Sequence, residues 1–92
     1  MRLKNLDELL FKELQNPEFA KAYLEDALTD SLDEFLIALR KYIQANQGMT
    51  ETADKADVAR EAMYRMLSGK GNPGIRQLYA ILQAHGLQLH IG

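Results

Sequence analysis

Ninety-two residues with 47% hydrophobic content suffice for one compact domain and are too few for two large independent ones. With no cysteine, a disulfide framework, a thiolate zinc site and a thiol nucleophile are all excluded. A net charge of −2 speaks against a general polyanion binder, because nonspecific nucleic-acid affinity comes from Lys and Arg neutralising phosphates.

The first predicted helix covers about residues 6–15, with Asn5 as its cap and Leu6, Leu9, Leu10 and Leu14 on one side. Charged residues from Arg2 to Glu13 interrupt this segment. It therefore reads as neither a secretory signal nor a membrane span, and a cytoplasmic protein is expected. Asn16-Pro17 ends this helix and starts the next, since Pro in a first turn lacks only an amide hydrogen that would be unpaired there. The second helix, about 17–29, offers Phe19, Ala20, Tyr23, Leu24, Ala27 and Leu28 as its apolar stripe. Ser31 and Glu34 have capping-box spacing, which starts a third helix at Leu32. Its Leu32, Phe35, Leu36, Leu39 and Ile43 form the most regular amphipathic pattern of the chain, as a central helix requires.

This helix is expected to stop at 46–48, where Gly48 can supply a left-handed residue. Two short helices follow, about 50–56 and 60–67, with room for only a tight turn between them. The stretch 68–73 is a linker, after which Asn72-Pro73 repeats the cap-and-start device. Ile75, Leu78, Tyr79 and Leu82 predict a buried stripe ending at His85-Gly86. Residues 87–91 then alternate as a short strand would, and a strand without a partner in its own chain invites a second copy.

The segment from about 49 to 68 has the requirements of a helix-turn-helix: a small residue, Ala53, inside the first helix; a turn residue, Asp57, four positions later; and Ala56, Val58, Met63 and Met66 at interior spacings. Arg60, Glu61, Tyr64 and Arg65 fall on the opposite side of the second helix, preceded by Ala59. Arg can donate two hydrogen bonds to guanine, Glu can accept from cytosine N4, and the Tyr hydroxyl can reach a phosphate or a base edge. Lys70 and the neighbouring amides fall where backbone phosphates pass. The charge distribution agrees, with nine acids against six bases in residues 1–47, but Arg60, Arg65, Lys70 and Arg76 against Glu61 alone from residue 58 onward. Spacing alone leaves open an ordinary pair of packed helices.

The runs 48–68, 71–73 and 82–89, together with 14–28 and 35–40 upstream, resemble the addiction-module antidote family of Xre-like helix-turn-helix antitoxins related to the HigA type. The most specific part is the run from Arg60 to Arg65 followed closely by Gly71-Asn72-Pro73. The resemblance implies an all-α domain of five to six helices with a lambda-repressor-like helix-turn-helix and a short C-terminal strand. It also implies a type II antitoxin that binds operator DNA, represses its own operon and neutralises a RelE/HigB-like toxin. Expected DNA contacts are Thr50, Ala59, Arg60, Glu61, Tyr64, Arg65, Ser68 and Lys70, in a portion spanning 48–92. Residues 1–47 would hold the toxin-contact surface, for which Phe11, Glu18, Phe19, Tyr23, Glu25 and Asp26 are candidates, since an RNA-directed toxin is expected to be basic. A homodimer is expected, joined through strand 87–91. Three positions depart from the family pattern: Asp57 stands where Gly is usual, Ala59 where a capping Ser is usual, and Thr52 where a larger apolar residue is usual.

His85 and His90 lack the companions that would complete a metal site, and His85 is explained by the helix end, which favours positive charge. Adjacent acids such as Glu25 and Asp26 point apart on a helix, and no nucleophile has a base in reach, so neither enzyme nor cofactor is expected. Two other functions fit the same residues: a helix-turn-helix transcription regulator without a toxin, and a protein-interaction module that has lost DNA binding.

Overall fold

A computed structural model of the chain describes residues 3–88, with side chains from residue 6 onward. These residues form six α-helices: α1 Leu3–Glu13, α2 Pro17–Asp30, α3 Leu32–Asn46, α4 Met49–Ala56, α5 Arg60–Met66 and α6 Ile75–Ala84. Asn5 lies inside α1 and does not cap it.

Local chemistry explains most boundaries. The Asn16 side chain accepts from the Glu18 and Phe19 amides at 2.9 and 3.3 Å, with Pro17 in the first turn of α2. Ser31 serves two helices at once. Its amide donates to the Ala27 carbonyl at the end of α2, and its hydroxyl accepts from the Glu34 amide at the start of α3. Because the Ser31 amide is already used, the Glu34 side chain does not complete the capping box. At Gly48 the backbone turns through φ 89°, ψ 158°, which is outside the left-handed helical region expected from sequence but equally reserved for glycine.

α3 is the central helix, packed against α1, α2 and α4, while α4 in turn carries α5 and α6. Leu36, Leu39 and Ile43 are fully buried and meet Leu24 of α2, Met49 and Ala53 of α4, Met63 and Met66 of α5, Leu67, and Leu78, Ile81 and Leu82 of α6. Each such aliphatic side chain contributes roughly 1.5–3 kcal/mol by leaving water. A smaller cluster of Leu14, Ala20 and Ala45 joins α1 to α2 and α3. It is bracketed by two hydrogen bonds from side-chain amides, Gln15 Nε2 donating to the Ala45 carbonyl and Asn46 Nδ2 to the Leu14 carbonyl, both 3.2 Å.

Four apolar stripes differ from expectation. Leu6 and Leu9 of α1, Phe19 and Leu28 of α2 and Leu32 of α3 are exposed, and α6 buries Leu78, Ile81 and Leu82 while leaving Ile75 and Tyr79 71% and 57% exposed. At 100° per residue, positions 78, 81 and 82 share the side turned to α4, and 75 and 79 lie on its flank. The expected strand is not seen among the described residues. Leu87 instead closes α6: its amide donates to the Leu82 carbonyl at 2.9 Å, the Gly86 amide donates to the Gln83 carbonyl at 3.0 Å, and its side chain packs on the core. This is the Schellman pattern, which wants an apolar residue just there. Residues 89–91, the rest of the expected strand, lie outside the described residues.

Candidate functional site

The corner between α4 and α5 is built by the same closing pattern with an unusual residue. Val58 donates to the Ala53 carbonyl at 3.0 Å and Asp57 to the Asp54 carbonyl at 3.3 Å, with Asp57 held at φ 57°, ψ 48°. Glycine is the ordinary occupant of this left-handed position; Asp tolerates it at some cost. Ala53 is buried and Val58 packs on the core, so the small residue and the interior residue expected from spacing are where the turn needs them. Ala59, the N-cap residue of α5, has the extended backbone of a cap but offers no side-chain oxygen, so the first amides of α5 lack a protein partner of that kind.

The short α5 is two-faced. Met63 and Met66, followed by Leu67, are buried, whereas Arg60, Glu61, Tyr64 and Arg65 face solvent. The Arg60 guanidinium lies 5.8 Å from the centre of the Tyr64 ring, a cation–π contact between neighbours one turn apart. After α5 the Ser68 hydroxyl donates to the Arg65 carbonyl at 3.0 Å and accepts from the Lys70 amide at 3.3 Å, fixing the direction of the loop. The loop then passes so close to α5 that a Cβ on Gly71 would collide with the Arg65 and Met66 carbonyl oxygens. An open groove of about 720 Å³ results, lined among others by Tyr64, Arg65, Ser68, Lys70, Asn72 and Gln77, with no carboxylate among the described lining residues.

Thr52 of α4 is fully buried, and its hydroxyl lies 2.7 Å from Nε2 of His85 at the end of α6. The imidazole stands edge-on to Tyr42 of α3, with ring centres 5.4 Å apart. Burial, helped by nearby Lys55 and opposed by Glu51, pulls the His85 pKa below its ordinary value. The sequence-based role for His85, a cation at a helix end, is thereby corrected: the half-buried ring favours its neutral form and serves as the partner of Thr52.

A second surface lies on α2. Phe19 and Tyr23 stack at 6.1 Å, and Tyr23 borders a groove of about 270 Å³ with Asp26, Asp30, Glu34, Ile37 and Lys41. Burial, and then the Glu34 carboxylate, raise the Tyr23 pKa.

Among known protein families, residues 3–92 match the family described as probable addiction module antidote protein. The chain belongs to this family. A protein of Haemophilus influenzae (strain Rd), named only as uncharacterized, is 28% identical over 90 residues, which cover 98% of this chain and 91% of the relative. No solved structure matches. No helix among the described residues of this antidote-family chain is long and apolar enough to cross a membrane.

Of the candidate residues read from sequence, Tyr64, Arg65, Ser68 and Lys70 come together along one groove. Arg60 and Glu61 are exposed one turn earlier on α5, Ala59 is exposed at its start, and Thr50 is exposed on α4, apart from the groove-lining set. On α2, Tyr23 and Asp26 share a groove and Phe19 stacks on Tyr23 outside it; Glu18 and Glu25 also lie outside it, and Phe11 is half-buried against the smaller core. Four participants were missed. Asp30 and Glu34 join Asp26, a grouping signalled only by the four-residue spacing from 26 to 30. Gln77 gave no signal, being one polar residue on an amphipathic helix. Asn72 was expected to cap the last helix, but α6 begins at Ile75 with Gly74 as its cap residue, which leaves the Asn72 side chain to the groove.

Proposed function

We propose that this protein is the antitoxin of a type II toxin–antitoxin module, an Xre-like member of the HigA type that binds operator DNA and represses its own operon while neutralising a RelE/HigB-like toxin. In this reading α4 and α5 are the helix-turn-helix. The observation that carries it is the two-sided α5: Met63 and Met66, with Leu67 after them, anchor it, and Arg60, Glu61, Tyr64 and Arg65 stand free beside a groove without described carboxylates. Such a helix can enter a major groove, with Arg65 donating to guanine, Glu61 accepting from cytosine and Lys70 lying against phosphate. The negative net charge is no obstacle, because the acids concentrate in the first half of the chain. A dimer would set two α5 helices about 34 Å apart on a palindrome.

The toxin is assigned to the second surface, on α2, where Tyr23 and Asp26, with Phe19 stacked on Tyr23, offer an aromatic and acidic face suited to a basic protein. Two measurements test the proposal. Gel shift of the promoter fragment should show binding at low salt that weakens steeply as salt rises. Co-expression with the adjacent small basic reading frame should restore growth, and charge reversal at Asp26 should abolish that rescue while leaving the gel shift intact.

A further inference from the structure

The apolar stripes of α2 and α3 run one turn past the core, and both do so at the same corner. On α2 the buried Ala20 and Leu24 are followed four residues on by Leu28, and on α3 the buried Leu36 is preceded four residues earlier by Leu32. That spacing keeps each leucine on the side of its helix that faces the core, yet Leu28 is 49% and Leu32 53% exposed. The two stand on either side of Ser31, so the junction of the helices carries an uncovered continuation of the core. Glu25, Asp26, Asp30, Asp33 and Glu34 accompany them, all exposed, with no Lys, Arg or His from residue 22 to residue 39. The only ion pair among the described residues joins Lys55 to Glu51, so none of these five carboxylates is paired within the described chain.

Charge selects what can cover these leucines. A second copy would set five carboxylates against five, and DNA or an anionic lipid surface would be repelled in the same way. A basic protein with an apolar recess meets both features of the corner. We propose that the junction of α2 and α3 is a docking surface for such a protein, with Leu28 and Leu32 at the centre of the contact and Asp30, Asp33 and Glu34 as its rim. The inference rests on the antitoxin reading for the identity of the partner, the toxin, and moves the centre of that contact from the Phe19 and Tyr23 stack to the start of α3. Asp26 lies on the border, in the groove that Asp30 and Glu34 also line. The two kinds of group act on different steps: the acids steer the encounter, and the leucines, once covered, slow separation.

The experiment measures association and dissociation of the full chain with the protein product of the adjacent small basic reading frame, over a salt series. It compares wild type with Leu28→Ser, Leu32→Ser and Asp33→Lys, and with Leu9→Ser as a comparably exposed leucine on α1. Each corner serine should weaken binding by about tenfold or more, mainly through faster dissociation, while Leu9→Ser leaves it unchanged. Asp33→Lys should slow association and flatten its salt dependence. The serine variants should keep the promoter-duplex affinity of wild type. If both corner serines bind the product as wild type does, the inference falls and the antitoxin reading stands; loss of binding in Phe19→Ser alone would then centre the contact on the aromatic stack. Equal weakening by Leu9→Ser also overturns it, by making the effect one of surface hydrophobicity in general. Dimerisation of wild type that the corner serines abolish assigns the leucines to a second copy, and loss of promoter binding assigns them to DNA; either result overturns it. Failure of wild type to bind the product at all removes both the antitoxin reading and the inference. Should a serine variant lose its cooperative melting transition, Asp33→Lys, at an exposed side chain, decides alone.

Discussion

Replacing Thr52 by Val tests whether the buried hydroxyl is held in place by His85. Two effects oppose each other. The substitution removes the 2.7 Å bond and leaves the half-buried imidazole nitrogen short of a partner, a loss of about 1–2 kcal/mol. It also puts a methyl group where a hydroxyl was fully buried, which returns up to about 0.8 kcal/mol. The single variant should therefore be only mildly destabilised, and the discriminating measurement is a double-mutant cycle with His85→Phe. With both polar partners replaced by apolar groups, most of the loss should disappear, giving a coupling of about 1–2 kcal/mol in urea unfolding at about pH 7.5, where imidazole is neutral. The same pair sets a pH dependence. Because the folded chain holds the His85 pKa below the ordinary value of about 6.5, the unfolded chain binds the proton first, so stability falls as pH drops through about 6.5 towards the folded pKa and levels off below it. The groups that act on this titration are Lys55 and Glu51 on α4, with Tyr42 of α3 against the ring. His85→Phe should remove that part of the acid sensitivity. Additivity of the two substitutions within about 0.3 kcal/mol, or a wild-type pH profile identical to that of His85→Phe, would refute the proposed partnership.

The turn gives two stabilising substitutions. Asp57→Gly relieves a left-handed residue and should raise the urea midpoint by the equivalent of about 0.5–1 kcal/mol without changing the slope. Ala59→Ser supplies the missing cap at a residue already in extended geometry and should add about 1 kcal/mol, read in the same assay. Gly71→Ala should act in the opposite direction, costing about 1–3 kcal/mol, because the added Cβ meets backbone carbonyls that cannot swing away; an unchanged melting temperature would contradict the close approach of the loop. Arg65→Ala should leave folding intact and cost about 1–3 kcal/mol of specific promoter binding, measured as the difference between promoter and unrelated duplex.

How far the residues alone reach is clearest where the same signal appears twice. Asn16-Pro17 and Asn72-Pro73 are the same dipeptide, yet only the first starts a helix, because at 71–74 the chain is held against α5 by Gly71 and helix geometry resumes only at Ile75. That constraint is a contact across the fold and has no local trace. The apolar stripes of α1 and α6 fail for a related reason. Leu9 and Ile75 are as hydrophobic as their buried neighbours, and periodicity reports which residues share a side without saying which side another helix covers. By contrast the start of α3 was legible, since Ser31 caps it through a bond to the Glu34 amide three positions away, even though the Glu34 side chain does not return the bond. The outer face of α5 was equally legible, because a seven-residue helix with Met63 and Met66 inside has only one side left to present.

The three departures from the family pattern turn out to be unlike in kind. Asp57 and Ala59 are local: the first holds a left-handed backbone and the second offers no capping oxygen, each at the corner itself. Thr52 is answered from a distance by His85, which sits on the last turn of a helix placed there by Leu78, Ile81 and Leu82 and closed by Gly86 and Leu87. The orientation of α4 therefore depends on how α6 ends as well as on the turn that follows α4. Since α4 also carries α5 through Ala53 and Val58, a polar contact at the far end of α6 helps fix the helix proposed to read DNA. The start of α6 lines the groove beside that helix, through Gln77. One helix thus touches the proposed interface directly at its start and indirectly at its end, so a change in its packing would move Gln77 and α4 together.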